Sequence, residues 1–311
     1  MPLDPHAKRF LDRFAAVNPS STLDLSVNER RDALEYLLSF SAQREEVADI
    51  ENRSLPGPAG ALPIRLYTPT GAPSPVLPGL IFFHGGGLVA GNLDSHDGIC
   101  RSLANASGFR VIAVDYRLAP ESRFPAAIAD AHAAVCWIAA HAAELGLDPQ
   151  RLGVAGDSAG ATLAAVVCQM STATPALHLA LQLLLCPILD HGATQGSRRS
   201  FGEGYFIDAA TLEHDLKHYL PPDADPSDPR ISPLHSPELR GLPPTCIHTA
   251  EFDPLRDEGE AYAQRLKLAG VPTTYRCHSG MIHLFYAMGA LIPYAATAYG
   301  LIGADARAML A

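Results

Sequence analysis

The chain has 311 residues, 48% hydrophobic and 18% charged, with 23 Lys and Arg against 33 Asp and Glu for a formal charge of −10. A chain of this length can bury roughly 75% of its unfolded surface, and this composition is that of an ordered globular protein, not a disordered one. The acidic balance without any Lys/Arg cluster excludes nucleic acid as a partner, and the longest apolar run, Leu177–Leu189, is too short for a bilayer and is broken by Pro187, which excludes a membrane span.

The opening segment, "MPLDPHAKRFLDRF", has no continuous apolar stretch and reads as no signal peptide. Six cysteines lie far apart, with no C-x-x-C and no zinc-ligand spacing. They read as reduced core thiols, which fits a cytoplasmic location without a bound metal.

Residues 1–45 are helical and amphipathic, with Leu34, Leu37 and Leu38 of "NERRDALEYLLSFSAQ" on one face. The turn-rich "LPGPAGALP" separates strands near Val47–Ser54 and Ile64–Tyr67. Then come strands "LIFF" and "FRVIAVDY", and a long helix from Pro125, suited to a first turn, to Gly146 near its end. Strand "RLGVAG", helix "AGATLAAVVCQM" and strand "LALQLLLC" follow.

Residues 197–222 break this rhythm with "FGEGYF" and the helical "DAATLEHDLKHYL", and read as an insertion that covers something. Strand "TCIHTA", helix "RDEGEAYAQRLKLAG", strand "TTYRCH" and a terminal helix complete the chain. Continuous apolar strands alternating with helices predict an α/β protein whose mainly parallel sheet is covered on both faces.

Within that frame "GDSAG" matches the G-x-S-x-G elbow at a strand–turn–helix junction, which makes Ser158 the candidate nucleophile. By itself the motif is also a plain helix-capping turn. "HGGG", directly after a strand, offers backbone N–H groups: Gly85 and Gly86, with Ala159, are the candidate oxyanion donors. His84 precedes the serine and reads as a residue that holds this loop. The chain order Ser, acid, His selects Asp253, at the end of "TCIHTA", over Asp257 and Glu258 inside the next helix. His283 lies beyond the last strand, whereas His278 ends it, so His283 is the candidate base. Helix capping and a structural histidine are the plainer readings of Asp253 and His283.

Together, "HGGGLVAGNLDSHD", "VDYRLAPESRFPAAIAD", "GDSAG", "DPLRDEG" and "GMIHLF" resemble the bacterial branch of the hormone-sensitive lipase family of α/β-hydrolases, over residues 47–288. The resemblance implies an α/β-hydrolase core (46–196 and 223–311) on an eight-stranded sheet, with a cap built from residues 1–45 and 197–222. It implies a triad of Ser158, Asp253 and His283, no cofactor, and hydrolysis of small-molecule esters with short to medium acyl chains. Lipase, lactonase and amidase activity on the same site, or a non-catalytic receptor, are the alternatives. Leu88, Phe201, Tyr205 and Phe206 are the candidate pocket residues, ordinary cap packing being the other reading of these aromatics. Members of such a family often dimerise, so a homodimer is a further expectation. Two departures from the family pattern stand out: Gly-Ala-Thr at 160–162 in place of Gly-Gly-Asn, and Leu284 where glycine is common.

Overall fold

Side chains along a strand point alternately to the two faces of its sheet, and in the central strands "LPGLIFF", "RVIAV" and "LQLLL" most residues are apolar and buried, so the middle of the sheet feeds two cores. In "LIFF", Leu80 and Phe82 join one cluster while Ile81 and Phe83 join the other. Likewise Val111 and Ala113 separate from Ile112 and Val114 in the next strand. Each fully buried Leu, Ile or Phe contributes roughly 1.5–3 kcal/mol, which makes this double-sided sheet the rigid part of the molecule.

The computed structural model describes residues 2–17, 21–41, 44–174 and 177–310. Helices α1 (Pro5–Val17) and α2 (Val27–Ser41) come first; Ala42 and Gln43, the end of the expected second helix, lie outside the described residues. The sheet contains β1 (Asp49–Gly57), β2 (Gly60–Thr68), β3 (Leu77–Phe83), β4 (Arg110–Val114), β5 (Leu147–Asp157), β6 (Leu181–Leu185), β7 (Thr245–Phe252) and β8 (Thr273–Ile282). Between them run α3 (Asp97–Ser107), α4 (Ala126–Ala140), α5 (Ala159–Ser171), α6 (Ser197–Ser200), α7 (Ala209–Tyr219) and α8 (Arg256–Leu268), with α9 (Tyr294–Met309) last.

The order across the sheet is β1-β2-β4-β3-β5-β6-β7-β8. β1 and β2 pair antiparallel, as do β2 and β4, and every later pair is parallel. This is the α/β-hydrolase sheet, eight strands and mainly parallel. Residues of α3 and α9 fill one core, and residues of α4, α5 and α8 the other. Among the described residues no helix is long and apolar enough to cross a membrane.

Several elements differ from the sequence reading. Much of "LPGPAGALP" is strand, because β1 and β2 form one hairpin that turns only between Gly57 and Gly60. The predicted helix from Pro125 to Gly146 is α4 followed by a short 3-10 turn, with Gly146 left-handed at its end, φ 63°. α3 was not singled out from the sequence; its C-cap is the left-handed Gly108.

Candidate active site

Strands β3, β5, β7 and β8 run parallel, so the residues after their C-terminal ends gather on one edge of the sheet, where ligands of α/β proteins bind. Those residues are His84–Gly87, Ser158, Asp253 and His283.

Ser158 occupies a sharp elbow, φ 53° and ψ −119°, between β5 and α5. The turn closes only because its flanks are bare. A Cβ on Gly156 would run into the Gly160 backbone, and one on Gly160 into the Phe83 carbonyl oxygen. The Ser158 N–H donates to Leu185 O at 2.8 Å, which pins the elbow to the end of β6.

A hydrogen-bonded line starts at the serine. His283 Nε2 lies 3.1 Å from Ser158 Oγ, and His283 Nδ1 lies 2.8 Å from Asp253 Oδ2. The other carboxylate oxygen, Oδ1, accepts the Leu255 N–H at 2.8 Å. Asp253 thus makes the contacts that both sequence readings call for, one to the turn into α8 and one to the imidazole. All three side chains are buried, at 5%, 3% and 0% exposure. His278 points elsewhere, toward His248 (3.1 Å) and Tyr294 Oη (3.1 Å).

The glycine loop corrects one expectation. The Gly85 N–H donates to Asp157 Oδ1 at 2.8 Å, and a Cβ on Gly85 would stand 2.6 Å from Asp157 Oδ2. Its donor is spent inside the fold and cannot meet an oxyanion. Gly86 and Gly87 border the cavity beside Ser158, and neither N–H is hydrogen-bonded to a described residue. The Ala159 N–H, at the first position of α5 where helix N–H groups have no partner in their own helix, is likewise not hydrogen-bonded to a described residue. The available trio is thus Gly86, Gly87 and Ala159.

His84 holds this loop, as expected. Its Nδ1 lies 2.8 Å from Gly85 O, its ring stacks on Tyr116 at 4.3 Å, and Tyr116 Oη donates to His84 O at 2.6 Å. Burial pushes its imidazole down to about 3, so it stays neutral.

Asp157 is more than an elbow neighbour. It is fully buried, and besides Gly85 it faces His96 Nε2 at 3.5 Å. Asp157→Ala leaves the Gly85 N–H without an acceptor, which costs about 1–3 kcal/mol. We expect kcat to fall about 10- to 100-fold, with KM little changed and with Asp157→Asn, which keeps the acceptor oxygen, largely restoring it. Equal losses in both variants, all of it in KM, would contradict this role.

Sequence reasoning passed over Cys186 as one more core thiol. It stands directly after β6 in a left-handed conformation, φ 42°. Its Sγ and the nearest ligating atoms of Asp253 and His283 lie within 4.8 Å of one another. Burial, followed by the Asp253 charge, pushes this thiol well above its usual range. The one available signal was its position at the end of a core strand.

The elbow opens into a cavity of about 710 Å³. Its walls include Phe10 and Phe14 of α1, Leu34 and Leu37 of α2, and Leu212, Leu216 and Tyr219 at and beside α7. Phe206, expected to line a pocket, does so and packs on Phe10 and Phe14 at 5.4 and 5.2 Å. Phe201 and Tyr205 do not border the cavity: they pack with each other and with Phe252 at the end of β7, at 5.1, 5.5 and 5.6 Å. Leu88 is core, 1% exposed. Leu284 has φ 62°, which explains why glycine suits that position, and its side chain forms part of the cavity wall. Thr162, at the other departure, donates to Ile188 O at 2.6 Å.

A family model described as an α/β-hydrolase fold matches residues 80–287. The chain belongs to this family, on the hormone-sensitive-lipase-like branch that its motifs resemble. It is 43% identical over 247 residues to the carboxylic ester hydrolase LipN of Mycobacterium tuberculosis, covering 76% of this chain and 64% of that protein. It is 40% identical over 273 residues to the ethyl acetate hydrolase of Pseudomonas putida, covering 86% of each. Among solved structures, the ester hydrolase EH1AB1 from the metagenome of Lake Arreo superposes with a TM-score of 0.95 at 41% identity, over 98% of each chain. The hyperthermophilic esterase of Pyrobaculum calidifontis follows at 0.94 and 36% identity, over the full length of both.

Proposed function

We propose that this α/β-hydrolase cleaves carboxylic esters through an acyl-enzyme formed on Ser158. His283 takes the hydroxyl proton through Nε2 as Oγ attacks the acyl carbon, and Asp253 fixes the imidazole through Nδ1 and stabilises its cation. The N–H groups of Gly86, Gly87 and Ala159 meet the charge that develops on the acyl oxygen. The histidine then gives its proton to the departing alcohol; it takes another from a water whose oxygen attacks the acyl carbon, and returns it to Oγ as the Oγ–acyl bond breaks and the acid leaves. The observation that carries this reading is the hydrogen-bonded line Ser158–His283–Asp253, whose serine borders the cavity together with Gly86 and Gly87 and their uncommitted N–H groups. The relatives named as ester hydrolases and esterases support it.

Short to medium acyl chains fit a cavity walled by α1, α2 and α7 better than an open surface for oil droplets would. A series of p-nitrophenyl acetate, butyrate, octanoate and palmitate tests this. The expected optimum in kcat/KM falls at butyrate or octanoate; a palmitate optimum would contradict it. A receptor reading has no support in the site, because the histidine is present and hydrogen-bonded to the serine.

A further inference from the structure

The hydrolytic mechanism leaves one charged cluster in the cavity wall without a task. Arg30 on α2 and Asp215 on α7 form an ion pair, Nη2 to Oδ2 2.9 Å, with side chains 11% and 7% exposed. His214 Nδ1 lies 3.1 Å from Asp215 Oδ1, and its Nε2 lies 3.2 Å from Leu25 O. Arg30 and Asp215 both border the cavity, whose wall combines Leu34, Leu37, Leu212 and Leu216 from the same two helices with polar groups elsewhere, Arg9 and Arg13 among them. Asp215 also rests on the glycine loop: a Cβ on Gly87 would run into its carboxylate. The pair therefore sits within reach of a substrate held at the loop.

Stability does not explain it. Replacing a buried ion pair with apolar side chains of similar volume is often neutral or stabilising. The hydrogen bonding is also lopsided. Both oxygens of Asp215 are engaged, whereas Arg30, with five N–H donors, makes one hydrogen bond to a described residue, from Nη2 to Asp215. Its Nε is buried without a partner among the described residues. The Asp215 hydrogen bond holds the His214 imidazole above its ordinary range. A protonated His214 shares the carboxylate's charge and leaves the guanidinium less neutralised. A donor-rich cation among apolar side chains calls for an acceptor carried in by the ligand.

We propose that Arg30, held in place by Asp215, is a substrate-binding group that donates to an oxygen outside the scissile ester, so that preferred substrates carry a carbonyl or carboxylate oxygen in their acyl or alcohol part. This rests on the ester-hydrolase reading above and narrows its substrate class.

The test compares matched esters. On the acyl side these are ethyl valerate, ethyl levulinate, which adds a ketone, and monoethyl succinate, which adds a carboxylate. On the alcohol side they are propyl acetate and acetonyl acetate. The readout is the ratio of kcat/KM between each oxygen-bearing ester and its plain partner, in wild type and in Arg30→Met. The ratio cancels any general loss of active enzyme, and comparing variants cancels intrinsic reactivity.

Arg30→Met is expected to lower the ratio about 10- to 100-fold in at least one pair, the size of one lost hydrogen bond to a charged donor. A response of levulinate or acetonyl acetate identifies a carbonyl, and one of succinate a carboxylate. Ratios unchanged in every pair would overturn the proposal and leave Arg30 a fastening of the cap. Should Arg30→Met fail to fold, Arg30→Lys, which keeps the charge and loses the planar fork, must lower the same ratio. If wild type hydrolyses none of these esters, the ester-hydrolase reading fails instead.

Discussion

Ser158→Ala is expected to lower kcat on p-nitrophenyl butyrate by about a million-fold, the scale on which a serine nucleophile and its base act as a unit. The substitution removes one oxygen from a residue that is 5% exposed and whose backbone is held by its own N–H bond to Leu185. The fold should therefore survive, with an unchanged near-ultraviolet circular dichroism spectrum. What remains is the slow attack of water on an ester still polarised by the glycine loop. A variant that keeps near wild-type turnover would remove the serine from the mechanism altogether.

Gly86→Ala should give the next largest effect, a loss of about 10²- to 10³-fold in kcat, as for removal of one oxyanion donor. Gly86 has φ 111°, a conformation that side chains disfavour, and a Cβ there would run into the Ala90 backbone. The loop has to move, and the Gly86 N–H moves with it. Because that donor acts on charge that appears only as the acyl carbon is attacked, the loss belongs in kcat while KM stays nearly constant. Steady-state kinetics on the butyrate ester separate the two. A variant whose KM rises while kcat is preserved would mean that the loop only binds substrate.

The parts of the site that were legible in the sequence are those that depend on local order along the chain. "GDSAG" between a strand and a helix, and an acid and a histidine following two later strands, locate Ser158, Asp253 and His283 because parallel strands deliver their C-terminal ends to one edge. The glycine loop was legible as a source of N–H donors, Gly86 among them, but not in which of its N–H groups the fold uses up. Which of its N–H groups is free depends on Asp157, 72 residues further along the chain, whose carboxylate takes the first.

The aromatic residues of the insertion illustrate the same limit. Phe206 faces the cavity, whereas Phe201 and Tyr205 are drawn to Phe252, a partner at the end of β7 that no local pattern announces. The Arg30–Asp215 pair joins residues 185 positions apart. Cys186 was hidden for another reason: a buried thiol beside the hydrogen-bonded line looks, in sequence, like any other core cysteine. In the fold, β8 runs on to Ile282, past the expected strand "TTYRCH", because the pairing with β7 resumes after a register shift and carries His283 to the edge.

The central claim is that Ser158 is the nucleophile that His283 activates. Incubation with a fluorophosphonate, followed by mass spectrometry of the digested protein, tests it most directly. The account predicts one phosphonate per chain, on the peptide that contains Ser158, with activity lost in step with labelling and no labelling of Ser158→Ala. Labelling at another residue, or full activity after Ser158 is modified, would contradict it.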